Sequence, residues 1–207
     1  MRTLTGCGRA VTALATLDLL RRHGESSELM YDSPYASGDL VPSPRLVSAW
    51  TVVGRLATER VPMWAAHWLV QGYDGPALRE LAGLDGSDPI AVRELLPAAL
   101  GDAGIPGALG ADADDVSRVQ RIAWLDIVYR DVAQLCLDGR ASERWVVDKV
   151  AEIVSDELYS DDATGPPLGA LYRLDDEWGT GWGHTDQELM EEVRRACQRQ
   201  VELPPTS

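Results

Sequence analysis

From Asp112 to Leu137 runs the longest helical text in the chain. Val119, Ile122, Trp124, Leu125, Val128, Val132, Leu135 and Cys136 recur there at helical spacing and occupy more than one face. A helix that is apolar on more than one side has to be surrounded, so this stretch is expected at the centre of a bundle. Nowhere do apolar and polar residues alternate between hairpin turns, and no segment repeats at a fixed period. The expected fold class is therefore all-α, an irregular multi-helix bundle of about seven helices with two long loops.

The remaining elements follow from punctuation and spacing. Residues 8–22 read as a first helix with Val11, Leu14 and Leu17 on one stripe, and residues 25–41 as a loop that Tyr31 and Tyr35 can pin. Ser43-Pro44 opens a helix expected to reach about Arg60. Pro62 then starts a helix that stacks Trp64 and Trp68 on one face. Gly72 ends it, Asp74 is expected to cap a second helix carrying Leu78 and Leu81, and the two meet at a tight corner. Asp88-Pro89 begins a helix that Pro97 should kink or divide. Ser142 caps another, with Val146, Val150, Ile153, Val154 and Leu158 as its inner stripe. Residues 160–184 look like loop, and Thr185 with Glu188 forms a capping box for a last helix. These parts group as residues 1–43 (an N-terminal helix and loop), 44–159 (a helical core) and 160–207 (an acidic Gly/Trp loop and C-terminal helix), all within one domain.

Charge narrows the classes of function. The net charge of −14 is concentrated: residues 152–192 hold twelve acids against Arg173 alone, a net of −11, whereas residues 1–60 carry +1. Such a field repels phosphate, so neither nucleic acid nor an anionic membrane is an expected partner, while a protein with a basic surface is. No apolar run approaches the roughly 20 residues that span a bilayer. Cys7, Cys136 and Cys197 are far apart in sequence and lack CxxC spacing, which argues for neither a disulfide framework nor a cysteine zinc site and sets a cytoplasmic location as the expectation. Eighteen arginines against the single Lys149 point to a GC-rich bacterial genome.

Two stretches could carry function. Leu174 to Glu188 gathers Asp175, Asp176, Glu177, Trp178, Trp182 and His184 in one decorated loop. Its tryptophans would bury indole area against a partner while its acids steer a basic surface onto it. The donors Asp175, Asp176, Glu177, His184 and Asp186 match no calcium-loop spacing, so no metal is assigned, and no cofactor is expected. The Gly179–Gly183 run lacks a lysine and follows acids, unlike a phosphate loop. The other stretch is the corner at Trp64, His67 and Trp68. The leading expectation is a non-catalytic acidic helical protein that binds another protein, as an immunity-type inhibitor, adaptor or regulator. The alternative is a helical enzyme or small-molecule binder with a Trp/His-lined pocket, in which His67 or His184 would act as base and Asp126 or Asp176 as polar anchor. The pair Asp126/Arg130 otherwise reads as an ordinary i,i+4 ion pair.

Overall fold

The computed structural model describes residues 34–35, 40–53, 56–105, 117–180 and 182–205. Every regular element among them is helical, as the periodicity requires. The expected helix at residues 8–22, Tyr31, Cys7, and Asp112, Asp114 and Asp115 lie outside the described residues.

The helices are α1 (Pro44–Val53), α2 (Val61–Val70), α3 (Pro76–Ala82), α4 (Pro89–Asp102), α5 (Arg118–Leu137), α6 (Glu143–Asp156), α7 (Asp161–Thr164) and α8 (Asp186–Glu202). Among the described residues, 3-10 segments at Thr58–Arg60 and Gly169–Leu174 accompany them. Several helix starts are set by local chemistry. The Asp88 carboxylate accepts from the Ile90 and Ala91 amides, Ser117 Oγ from Gln120, Ser142 Oγ from Trp145, and Thr185 with Glu188 makes a full capping box.

The apolar interior falls into two clusters. The first is built around α5, with Trp124, Leu125, Val128, Tyr129 and Val132 packed against α1, α6 and α8. The second is the Trp corner, where Trp64, Trp68, Leu78, Leu81, Val92, Leu96 and Leu100 interlock across α2, α3 and α4. Helix α1 joins them, since Val47 enters the second cluster while Ala49, Trp50 and Val53 enter the first. Tyr35, Leu56 and Ile105 pack against both.

Five sequence expectations require correction. The helix opened by Pro44 ends at Val53 rather than near Arg60; Thr51-Val52-Val53 and the following Gly54 are poor helix text, and Thr58–Arg60 is a separate 3-10 turn. Asp74 does not cap α3: Gly75 holds that position, and the Leu78 amide donates to Asp102 Oδ2 at 3.0 Å from the end of α4. A Cβ at Gly75 would collide with the Asp102 carboxyl, so the glycine admits this distant cap. Of the two effects expected of Pro97, division does not occur, because α4 continues through it to Asp102. Residues 160–184 are not plain loop, because Leu168, Leu171 and Leu174 recur every third residue, the 3-10 period, and bury together. Lastly, Leu158 is absent from the inner stripe of α6 and stands 86% exposed.

Candidate functional site

Arg144, in the first turn of α6, organises the acidic segment. Its Nη2 lies 2.6 Å from Asp148 Oδ1 and 2.7 Å from Asp175 Oδ1, and its guanidinium sits 5.8 Å from the centroid of the Trp178 ring. Burial pushes the Asp148 carboxyl above its ordinary range, and Arg144 opposes that rise. Trp178 is thereby half-buried against the α5 cluster.

A second closure follows immediately. Glu177 Oε2 accepts from the His184 amide at 3.2 Å and lies 2.8 Å from His184 Nδ1, while Thr180 Oγ1 donates to the Glu177 carbonyl at 2.9 Å. The hydrogen bond from His184 holds Glu177 below the usual carboxylate range, and the same bond with its charge raises His184. Gly183 has φ +78°, which favours glycine, and a Cβ there would displace the Glu177 carboxylate from its latch. Glu177 and His184 thus latch a turn ahead of α8. Trp182 projects from it at 60% exposure, with Asp176 exposed nearby in sequence.

Beyond the end of α6, Leu158 and Tyr159 take φ values of 51° and 57°, the left-handed region that non-glycine residues rarely occupy. The Tyr159 amide reaches back to the Val154 carbonyl at 2.8 Å, closing the helix and swinging both side chains outward. Tyr159 meets Tyr172 edge-on at 5.8 Å, and Tyr172 lies three residues ahead of Asp175. Sequence reasoning missed this apolar knob because Leu158 keeps helical phase with Val154; no sequence signal reveals the left-handed turn.

The corner residues and Trp178 of the acidic loop pack in different clusters. Trp64 and Trp68 are core of the second cluster, Trp68 Nε1 donating to the Pro42 carbonyl at 2.8 Å, whereas Trp178 packs on the first. His67 and Gln71 both face solvent. Asp126 pairs with Arg130 at 3.0 Å, and Arg130 carries on to the carbonyls of Val201 and Leu203, so this i,i+4 pair anchors the chain after α8. Among the described residues, no group of three or more His, Cys, Asp or Glu side chains is placed to hold a metal ion, and no helix is long and apolar enough to cross a membrane.

Among the described residues, one strongly perturbed carboxyl is a residue that sequence reasoning passed over. Asp131 lies in α5 between the two clusters, where Oδ1 accepts from Tyr35 Oη at 2.5 Å and Oδ2 from Trp50 Nε1 at 3.4 Å. Burial pushes its carboxyl up to about 6, against the pull of those two bonds. Tyr35 also meets the Trp64 ring edge-on at 6.1 Å, so one tyrosine ties both clusters together. A signal was available: Trp124, Val128, Asp131 and Leu135 follow the four-three-four spacing of an inward stripe, and an acid at such a position is displaced from its usual place.

No protein-family model, characterised protein or solved structure matches this chain.

Chemically, the Asp131 seam has hydrogen-bond donors on both carboxyl oxygens and serves as a structural joint. The latched turn has the opposite character. Its polar groups are spent on holding the turn, and what it offers outward is an indole and negative charge.

Proposed function

We propose that the chain is a non-catalytic binding protein that receives a protein partner with a basic surface on the acidic face formed by residues 152–192. One observation carries this reading. Two tryptophans four residues apart are treated differently: Trp178 is held against the bundle by Arg144, while Trp182 is presented at 60% exposure on a turn latched by Glu177 and His184. An exposed indole costs solvation unless a partner covers it, and large apolar side chains within one sign of charge are the composition of a contact centre. The segment's net −11 steers a basic surface toward it. An inhibitor of the immunity type, an adaptor and a regulator all share this chemistry.

The test separates the presented residues from those that hold the loop. Asp175 and Glu177 serve Arg144 and His184, so reversing them would unseat the turn itself. Trp182→Ala and Asp176→Arg alter only exposed groups. The tagged chain is isolated from its native cells at low and moderate salt and the co-purifying proteins are identified. The proposal expects a stoichiometric basic partner that leaves as salt rises, lost from both variants while their thermal midpoints match wild type. A partner retained equally by both variants refutes this surface.

A further inference from the structure

Cys136 on α5 and Cys197 on α8 belong to the same buried cluster, with 7% and 0% of their surfaces exposed. Sixty-one positions apart in sequence, they are brought into one region of the core by the packing of α5 on α8, bracketed by Arg130 on the Val201 carbonyl and Arg194 on Glu143, where each thiol influences the other. Both are free thiols. Glu143, at the start of α6, and Arg194, one turn before Cys197, form an ion pair beside them. The hydrogen bond from Cys197 holds the Cys136 thiol below its usual range, and the Arg194 charge adds to this; the same bond and burial push Cys197 up. The two residues therefore differ in access: Cys136 keeps 7% of its surface exposed and Cys197 is fully enclosed, so an oxidant from solvent meets Cys136 first.

We propose that Cys136 and Cys197 form an oxidisable dithiol, a modification site at which a small hydroperoxide converts the two thiols into a disulfide joining α5 to α8. Cys136 gives up its proton to water, and its thiolate sulfur attacks one peroxide oxygen. The O–O bond breaks, and the leaving hydroxide takes a proton to become water, which leaves a sulfenic acid on Cys136. The Cys197 sulfur then attacks the Cys136 sulfur. The S–O bond breaks, and the hydroxide departs as a second water with the Cys197 proton. Two thiols are oxidised by two electrons and one peroxide is reduced to two waters. A hydroperoxide suits the site because so little of Cys136 is exposed.

The experiment uses the full chain in a Cys7→Ser background, so that no third thiol competes. Folded protein is incubated with hydrogen peroxide, blocked with an alkylating reagent and analysed without reductant by intact mass and peptide mapping. The expected result is the loss of two hydrogens, no alkylation, and a cross-linked peptide pair containing Cys136 and Cys197, all reversed by dithiothreitol. The oxidised form should unfold at a midpoint roughly 5–10 °C higher, because the bond restrains a long loop of the unfolded chain. Cys197→Ser should instead leave Cys136 as a sulfenic acid trapped by a dimedone reagent. The proposal is overturned if folded protein keeps both thiols free under conditions that oxidise the urea-unfolded chain. Conversion of Cys136 to sulfinic or sulfonic acid without a cross-link overturns it equally.

Discussion

Replacing Asp131 by Asn changes the pH dependence of stability by an amount that can be worked from the site. Burial raises this carboxyl from 3.8 to about 6 in the folded protein. The folded state therefore binds the proton more tightly than the unfolded state, and stability falls as pH rises from the unfolded value through the folded one. The full difference, about two decades of proton affinity, is about 3 kcal/mol. Between pH 4.5 and 7.5 the Asp131 share of that loss is about 2 kcal/mol, because the unfolded carboxyl is already mostly ionised at the lower pH. The Asp131→Asn variant keeps the shape and one acceptor but carries no charge. It sets an amide against one of the two donors, Tyr35 Oη or Trp50 Nε1, at a cost of about 1 kcal/mol that is the same at both pH values. The decisive quantity is thus the change in the variant–wild-type difference, in which that constant cost cancels. Urea unfolding of both proteins at the two pH values should show Asp131→Asn gaining about 2 kcal/mol relative to wild type on going to pH 7.5. Parallel stability–pH curves would refute the claim that Asp131 is ionised at a cost within the folded protein.

Two further outcomes follow from the latched turn and the left-handed turn. In wild type the His184 ring should titrate above its ordinary 6.5 by NMR, and in Glu177→Gln it should return toward that value. The pair is favourable only while Glu177 is ionised and His184 charged, so the latch weakens as pH rises through the raised histidine value and again as pH falls through the lowered carboxylate value. Leu158→Gly should raise stability by about 1 kcal/mol, since glycine adopts φ 51° without the steric penalty leucine meets and the lost side chain was solvent-exposed. A decrease in its urea midpoint would contradict the left-handed assignment.

What the sequence disclosed and what it withheld divide along the range of the interactions involved. The caps at Asp88, Ser142 and Thr185 bond amides two or three residues away, so each was readable from its own neighbourhood. The shared helical face of Trp64 and Trp68 was equally readable from their four-residue spacing, and that face enters the second cluster. Asp74 was a reasonable cap for α3, but the oxygen comes from Asp102 on another helix, twenty-four residues from the Leu78 amide it receives. The leucines at 168, 171 and 174 escaped notice because their period of three was measured against 3.6. For the loop, composition identified the decorated segment but not its division of labour. Arg144 is thirty-one residues from Asp175, and only their meeting decides which tryptophan is inside.

That meeting also determines how the loop's charge can be altered. At least seven of the twelve acids in residues 152–192 enter short polar contacts: Glu152 with Lys149, Glu157 with Arg121, Asp162 with Arg118, Asp175 with Arg144, Glu177 with His184, Glu188 with Thr185 and Glu191 with Gln187. Neutralising those removes both a contact and a charge, so loss of binding there would not distinguish a collapsed loop from a weakened field. Asp176 enters none of these contacts, and Trp182 adds apolar area without holding anything in place. A partner recognised by the long-range field should tolerate Trp182→Ala at low salt and fail at moderate salt, because steering survives while the buried contact is gone. A partner recognised by the indole should fail at both, and the salt dependence of that one variant measures how the two contributions divide.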